Sequence, residues 1–174
     1  MDCQVVAPKI NPTAASILGF LEDGEQTGYG LARTAEELIG DFWSITRSQL
    51  YRELAALCER DLIESAGVGP RSARPYRLTS AGHKAFLAWL ATPAPPEHIR
   101  FPLLLTLSFG RWLDPDQERA MLVEHRQMHA ERLARYQTTG ELADPHLAAV
   151  LSFGIHYERA VLEWLDTLSP ALLR

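Results

Sequence analysis

Long apolar runs, cysteine pairs and nucleotide or hydrolase motifs are all missing from this 174-residue sequence. Crossing a bilayer takes roughly 20 consecutive apolar residues. The longest candidate, Phe101 to Phe109, is about half that length and is followed at once by Arg111, so no membrane partner is expected. Met1-Asp2-Cys3-Gln4 begins with an acid and leads into no long apolar core, so no secretion signal is expected either. Two cysteines, Cys3 and Cys58, make neither a disulfide framework nor a metal cluster, and the expected location is a reducing cytoplasm. Gly67-Val68-Gly69-Pro70 lacks the later glycine and the Lys/Ser of a phosphate loop. No Gly-x-Ser-x-Gly elbow occurs, and the Ser, His and Asp residues are not spaced to single out a triad. With no polar cluster to carry chemistry, an enzyme is the weakest reading, and no cofactor is expected.

Charge is scarce in one sense and concentrated in another. The net charge of −5 argues against a nucleic-acid partner for the molecule as a whole, but DNA meets one face of a protein, not its average. Between Ser44 and Lys84 there are seven Lys/Arg (Arg47, Arg52, Arg60, Arg71, Arg74, Arg77, Lys84) against four acids (Glu53, Glu59, Asp61, Glu64), a local excess of three positive charges. The acids crowd elsewhere, at Glu22, Asp23, Glu25, Glu36, Glu37 and Asp41 and through much of the C-terminal half.

What is present reads mostly as helix. Asn11 and Pro12 open a helix running to Leu21, ended by Asp23-Gly24. Thr27 caps a second, Gly28 to Ile39, whose apolar stripe is Tyr29, Leu31, Ala35, Leu38 and Ile39, stopped by Gly40. Ser44 is the expected cap of a third, about Ile45 to Arg60, with Leu50, Leu54 and Leu57 facing inward and Arg47, Ser48, Tyr51 and Arg52 on its other face. Leu62 to Ala66 alternates with a period of two, Gly67 to Ser72 reads as a turn, and Arg74 to Leu78 as a returning strand. Thr79 or Ser80 caps a fourth helix to Ala91, with Phe86, Trp89 and Leu90 inward. Thr92-Pro93-Ala94-Pro95-Pro96 is a stiff linker. Beyond it the patterns are helical only, at about Arg100 to Arg111, Pro115 to Gln137 and Pro145 to Leu168, the last two opened by Asp114 and Asp144.

Three short helices followed by a hairpin are the order of a winged helix-turn-helix. The third helix of such a domain fits the major groove of B-DNA and reads base edges from its N-terminal end. Here those side chains are Thr46, Arg47, Ser48 and Gln49; Gln suits adenine and Arg suits guanine in two-pronged bonds. Tyr51 and Arg52, one turn on, are placed to reach phosphates, which set register and not sequence. Arg71 and Arg74 flank the hairpin turn and can lie along the adjoining backbone. The plain alternatives are a solvated arginine face, and for Tyr51 packing against the second helix.

The same segment resembles the PadR family of bacterial transcriptional regulators. The likeness is carried by Ile17-Leu18-Gly19-Phe20-Leu21, Gly28-Tyr29-Gly30-Leu31, Phe42-Trp43-Ser44, Gln49-Leu50-Tyr51-Arg52-Glu53-Leu54, Leu57, Leu62-Ile63-Glu64 and Arg74-Pro75-Tyr76-Arg77-Leu78-Thr79-Ser80-Ala81-Gly82. It covers the first half in unbroken order, and the rest is similar to the helical arm of the family's longer members. The resemblance implies a mostly α protein with a small β-hairpin wing. It implies a homodimer joined through its C-terminal helices, bound to a double-stranded DNA operator, and repression relieved by a small apolar or aromatic effector. The wing departs from the family in being short, with only Arg71 and Arg74.

The expected organisation is therefore a winged-helix DNA-binding domain over 1–92 and a helical dimerisation and effector domain over 97–174. Trp89, Phe101, Phe109 and Trp112 are the candidate effector pocket, with core or dimer packing as the plainer role. Trp43 is expected to pack beside the third helix. His125 and His129 sit four apart, a spacing that suits two metal ligands, but without a third ligand a wet helix surface is expected and no metal site is assigned. Cys58 reads as a small buried residue before it reads as a redox switch. The competing function is a winged-helix protein-interaction module that does not bind DNA. A MarR-like arrangement is disfavoured because only about ten residues precede the first helix.

Overall fold

Residues 9–65, 67, 74–97 and 99–168 are described by the structure, a computed structural model. The chain divides into two units, 1–97 and 98–174. The first runs α1 (Pro12–Phe20), β1 (Gln26–Thr27), α2 (Gly28–Ile39), α3 (Arg47–Glu59), β2 (Ile63–Ser65), β3 (Pro75–Leu78) and α4 (Ser80–Leu90). Short polar side chains open its helices by taking up N–H groups that have no partner inside the helix. Asn11 Oδ1 accepts from the Ala14 N–H at 2.8 Å, Thr27 Oγ1 from the Gly30 N–H at 3.0 Å, and Thr79 Oγ1 from the Gly82 N–H at 3.0 Å.

The third start is not where Ser44 was expected to place it. Thr46 is the cap, in a reciprocal box with Gln49: the Gln49 N–H donates to Thr46 Oγ1 at 3.2 Å and the Thr46 N–H to Gln49 Oε1 at 2.9 Å. The reason is in the third residue after the cap. Such a box needs Glu or Gln there; Thr46 has Gln49, whereas Ser44 has Arg47.

The expected hairpin is present, with β2 antiparallel to β3 and Ile63 opposite Leu78. Its other edge is also occupied, because β1 pairs with β3 through Gln26–Tyr76 and Thr27–Pro75, giving the order β1-β3-β2. Two residues are too few to show alternation, so the sequence carries no pattern for β1. Apart from Gly67, the turn read over 67–72 lies outside the described residues.

Ile17, Leu18, Leu31, Leu50, Leu54, Leu57, Leu62 and Ile63 form the buried centre of this unit, with Phe86 and Trp89 packed against it. Two expected stripes are narrower than their sequences suggest. In α2, Leu31 and Ala35 are buried, but Tyr29 and Leu38 stand 67% and 51% exposed. In α4, Leu90 is exposed, and the inward positions belong to Gly82 and Ala85. Small residues there let α4 approach the hairpin closely: a Cβ on Gly82 falls 2.0 Å from the Leu62 carbonyl oxygen, which also accepts from the Thr79 hydroxyl at 3.0 Å. Gly82→Ala is therefore expected to destabilise the protein by about 3 kcal/mol, the upper end of ordinary overpacking costs, read as a lower urea midpoint at unchanged slope.

The second unit contains α5 (Pro102–Ser108), a 3-10 turn (Gly110–Trp112), α6 (Pro115–Thr138) and α7 (Pro145–Thr167). Asp114 and Asp144 each accept from two N–H groups of the helix they open. Leu103, Leu122, Val161 and Leu165 are its core, flanked by Phe101, Met121 and Trp164. α6 and α7 run antiparallel, tied by Arg126 to Asp166 and by His129 to Glu158. The wet surface expected for the histidine pair is corrected: the side chains of His129 and Glu158 are both 2% exposed, and His125 is half-buried. No helix among the described residues is long and apolar enough to cross a membrane.

Candidate nucleic-acid interface

α3 lies on the first unit with Leu50, Leu54 and Leu57 buried beneath it, which turns the rest of its surface outward. Thr46, Arg47, Ser48, Gln49, Tyr51 and Arg52 are all exposed. Arg47 and Tyr51 are one helical turn apart, as are Ser48 and Arg52, so the polar groups stand in two adjacent rows. Among the described residues neither arginine is paired with an acid. Glu53, the carboxylate nearest in sequence to Arg52, instead accepts from Asn11 Nδ2 at 3.2 Å. Gln49 is committed to the cap: its Oε1 accepts from both the Thr46 N–H and the Thr46 hydroxyl, which leaves its amide N–H group as the free end.

The rest of the basic stretch sorts by partner. Arg77 Nε donates to Glu64 at 2.7 Å across the hairpin, and Arg60 donates to the Lys9 carbonyl at 3.1 Å. Arg74, at the foot of β3, is exposed without an acid partner among the described residues; Arg71 lies outside them. The wing and α3 meet at Tyr76, whose phenol is pushed up by burial and then by Cys58 and Tyr51, with Arg74 pulling the other way. Burial likewise pushes the half-buried Cys58 thiol up, which disfavours the thiolate a redox switch needs.

Tyr51 packs against α2, the plainer role weighed for it, though what Gly28 does for that contact and the exposure of Tyr29 escaped the sequence. A Cβ on Gly28 falls 2.7 Å from the Tyr51 ring, so the glycine that opens α2 makes room for the aromatic of α3. Its neighbour Tyr29, assigned to an inward stripe, is exposed beside it. The clue was available in Gly28 itself, a helix-opening position with no cap role that needs an explanation in space. Trp43, expected beside α3, is 40% exposed.

The candidate effector residues fall in both units. Trp89 is half-buried on the first core and Phe101 on the second, where its ring meets His129 edge-on at 6.1 Å between centroids. Phe109 and Trp112 are exposed, the latter beneath the Arg111 guanidinium at 4.3 Å.

The chain matches two family models, the transcriptional regulator PadR-like family over residues 17–88 and the virulence activator alpha C-terminal domain over residues 99–172. It is 27% identical over 180 residues to a probable transcriptional regulator of Mycobacterium tuberculosis, covering 90% of this chain and 95% of that protein. It is 27% identical over 170 residues to the negative transcriptional regulator PadR of Bacillus subtilis, covering 88% and 93%. Crystal structures of that Bacillus protein share the fold: in complex with operator DNA (TM-score 0.74, 24% identity, 90% of this chain and 96% of that one) and in complex with p-coumaric acid (TM-score 0.67, 25% identity, 88% and 94%). The winged-helix order, the outward α3 and the two consecutive family matches lead to one conclusion: over residues 17–88 this chain is similar to the PadR-like family of transcriptional regulators, and its fold is that of their solved structures.

Proposed function

We propose that this protein is a cytoplasmic repressor that binds a two-fold symmetric operator as a homodimer and is released from it by a small aromatic effector. The observation that carries the reading is the exposed, acid-free set Arg47, Tyr51 and Arg52 on the outer side of α3. Residues 1–92 supply the DNA-binding surface: Arg47, Ser48 and the free end of Gln49 toward base edges, Tyr51, Arg52 and the wing arginines Arg71 and Arg74 toward phosphates, and Thr46 holding the start of the helix. Tyr29 extends the same surface. Residues 97–174 supply the dimer contact and the effector response. The Bacillus relative, a negative regulator solved with operator DNA and with p-coumaric acid, supports both halves of the reading.

The dimer places two α3 helices roughly 34 Å apart, one turn of DNA. An effector then acts only through its differential affinity for a dimer shape that does not match this spacing. α7 carries the surface such a dimer needs. Val150, Phe153 and Tyr157 stand exposed along it at helical spacing, with the last two rings stacked at 6.2 Å. Phe153→Asp is expected to convert the dimer to a single chain by light scattering and to abolish tight operator binding. A dimer of unchanged mass in that variant places the contact elsewhere.

A mobility shift of the full chain with the DNA upstream of its own gene tests the whole reading. Binding should weaken steeply with salt and be reversed by one of a panel of aromatic compounds. Salt-independent binding, or none, favours the protein-interaction module instead.

A further inference from the structure

Gln49 is exposed at the third position of α3, but one end of its side chain is already in use. Its Oε1 accepts from the Thr46 N–H at 2.9 Å and from the Thr46 hydroxyl at 3.0 Å. Chemistry fixes which end of the amide faces the cap. A backbone N–H can only donate, so the atom beside it is the oxygen, and the NH2 group is the end left over. Among the described residues that NH2 group has no hydrogen-bond partner. Thr46 is equally committed: its hydroxyl donates to Oε1 and accepts from the Gln49 N–H at 3.2 Å.

The cap changes what Gln49 can read. An unrestrained glutamine recognises adenine by two bonds at once, donating to N7 and accepting from the N6 amino group. Both lone pairs of Oε1 are taken by Thr46, so the accepting half is lost unless the start of the helix opens. What remains is a nitrogen with two hydrogens to give. In the major groove guanine shows two acceptors, N7 and O6. Adenine and thymine show one each, N7 and O4, and cytosine shows only its amino donor. Guanine is therefore the best match and cytosine the worst. The tether has a second effect: a side chain held at its oxygen has fewer conformations to lose when it meets DNA.

We infer that Gln49 is a donor-only specificity residue, which selects guanine over adenine at one base pair of each operator half-site. This rests on the reading of α3 as the operator-binding helix and names one base within that reading.

Gln49→Glu tests the assignment because it keeps the cap and reverses the free end. Glu serves the third position of a capping box as well as Gln does, so the variant should melt like wild type by circular dichroism. One carboxylate oxygen stays with Thr46, and the other can only accept, which suits the cytosine amino group and opposes guanine. Competition gel shifts at fixed salt compare the full-length proteins on duplexes carrying each base pair in turn through the half-site that wild type selects. Wild type should favour guanine over adenine by about tenfold at one position. Gln49→Glu should lose that preference there and turn it toward cytosine, with the order at other positions kept. Gln49→Ala, which brings no charge to repel a duplex, should lose the same preference without the turn to cytosine, and it decides the matter if the Glu variant binds too weakly to rank bases. Adenine as the favoured base at the altered position, or wild-type preferences throughout in the variants, overturns the assignment and leaves α3 as the reading helix. A wild type that binds every sequence alike overturns both.

Discussion

Glu158→Ala is expected to cost about 3–5 kcal/mol of stability, the range for breaking a buried ion pair by removing one partner. The carboxylate is 2% exposed and holds both His129, equally buried, and Arg132. Without it the imidazole has no hydrogen-bond partner on either nitrogen among the described residues, and Arg132 loses one of its acceptors. The cost comes from leaving the buried imidazole unmatched, not from the pair's own worth, since two charges taken out of water recover little beyond their desolvation. Glu158→Gln separates the two contributions. It keeps the volume and an acceptor oxygen for His129 but removes the charge, so its cost should be clearly smaller. Urea denaturation followed by circular dichroism measures both. Equal destabilisation by Ala and Gln would show that charge alone matters, and a cost under 1 kcal/mol for Ala would contradict the burial of this cluster.

Arg52→Ala is expected to weaken binding to every DNA sequence alike. Removing one phosphate-binding cation from each subunit lowers the dependence of log affinity on log salt by about 0.9, so by about two for the dimer. Arg47→Ala, at the N-terminal end of the same helix, should act differently: it should cost about 1–3 kcal/mol of discrimination at one base pair of each half-site, with affinity for unrelated DNA reduced much less. The contrast follows from position. Arg47 is the first residue of α3, beside the Thr46–Gln49 cap, whereas Arg52 lies more than a turn along, in the row with Ser48. Competition gel shifts across a range of salt distinguish the two. Identical behaviour of the variants means that the helix approaches DNA in another orientation.

Much of this architecture is legible in the sequence because it is local. Asn11, Thr27, Asp114 and Asp144 satisfy N–H groups two or three residues ahead of them, so both partners fall within one short window. What the sequence hides is set by distant groups. β1 exists because β3 offers it an edge, and a two-residue strand has no pattern of its own. Tyr29 and Leu38 follow helical spacing but find no neighbour, so apolar character alone misplaced them. Gly28 is explained only by Tyr51, and Gly82 only by the Leu62 carbonyl.

The second unit makes the same point with charge. His129 pairs with a carboxylate 29 residues away. Read as a spacing within α6 alone, His125 and His129 suggest either ligands or a wet face. A sharper sign was Glu158 itself, three and seven residues before the buried Val161 and Leu165 on α7, an acid in an apolar row. A carboxylate in that position needs a partner from another element, and His129 holds the equivalent place on α6, seven residues after the buried Leu122.

The most direct test of the central claim is selection of bound duplexes from a random pool by the full-length protein. The account predicts enrichment of a two-fold symmetric sequence with half-sites one helical turn apart, and Arg47→Ala should lose that enrichment while still retaining duplex DNA. A pool that emerges with no common sequence, or one enriched equally by wild type and Arg47→Ala, would contradict the assignment of α3 as the surface that reads the operator.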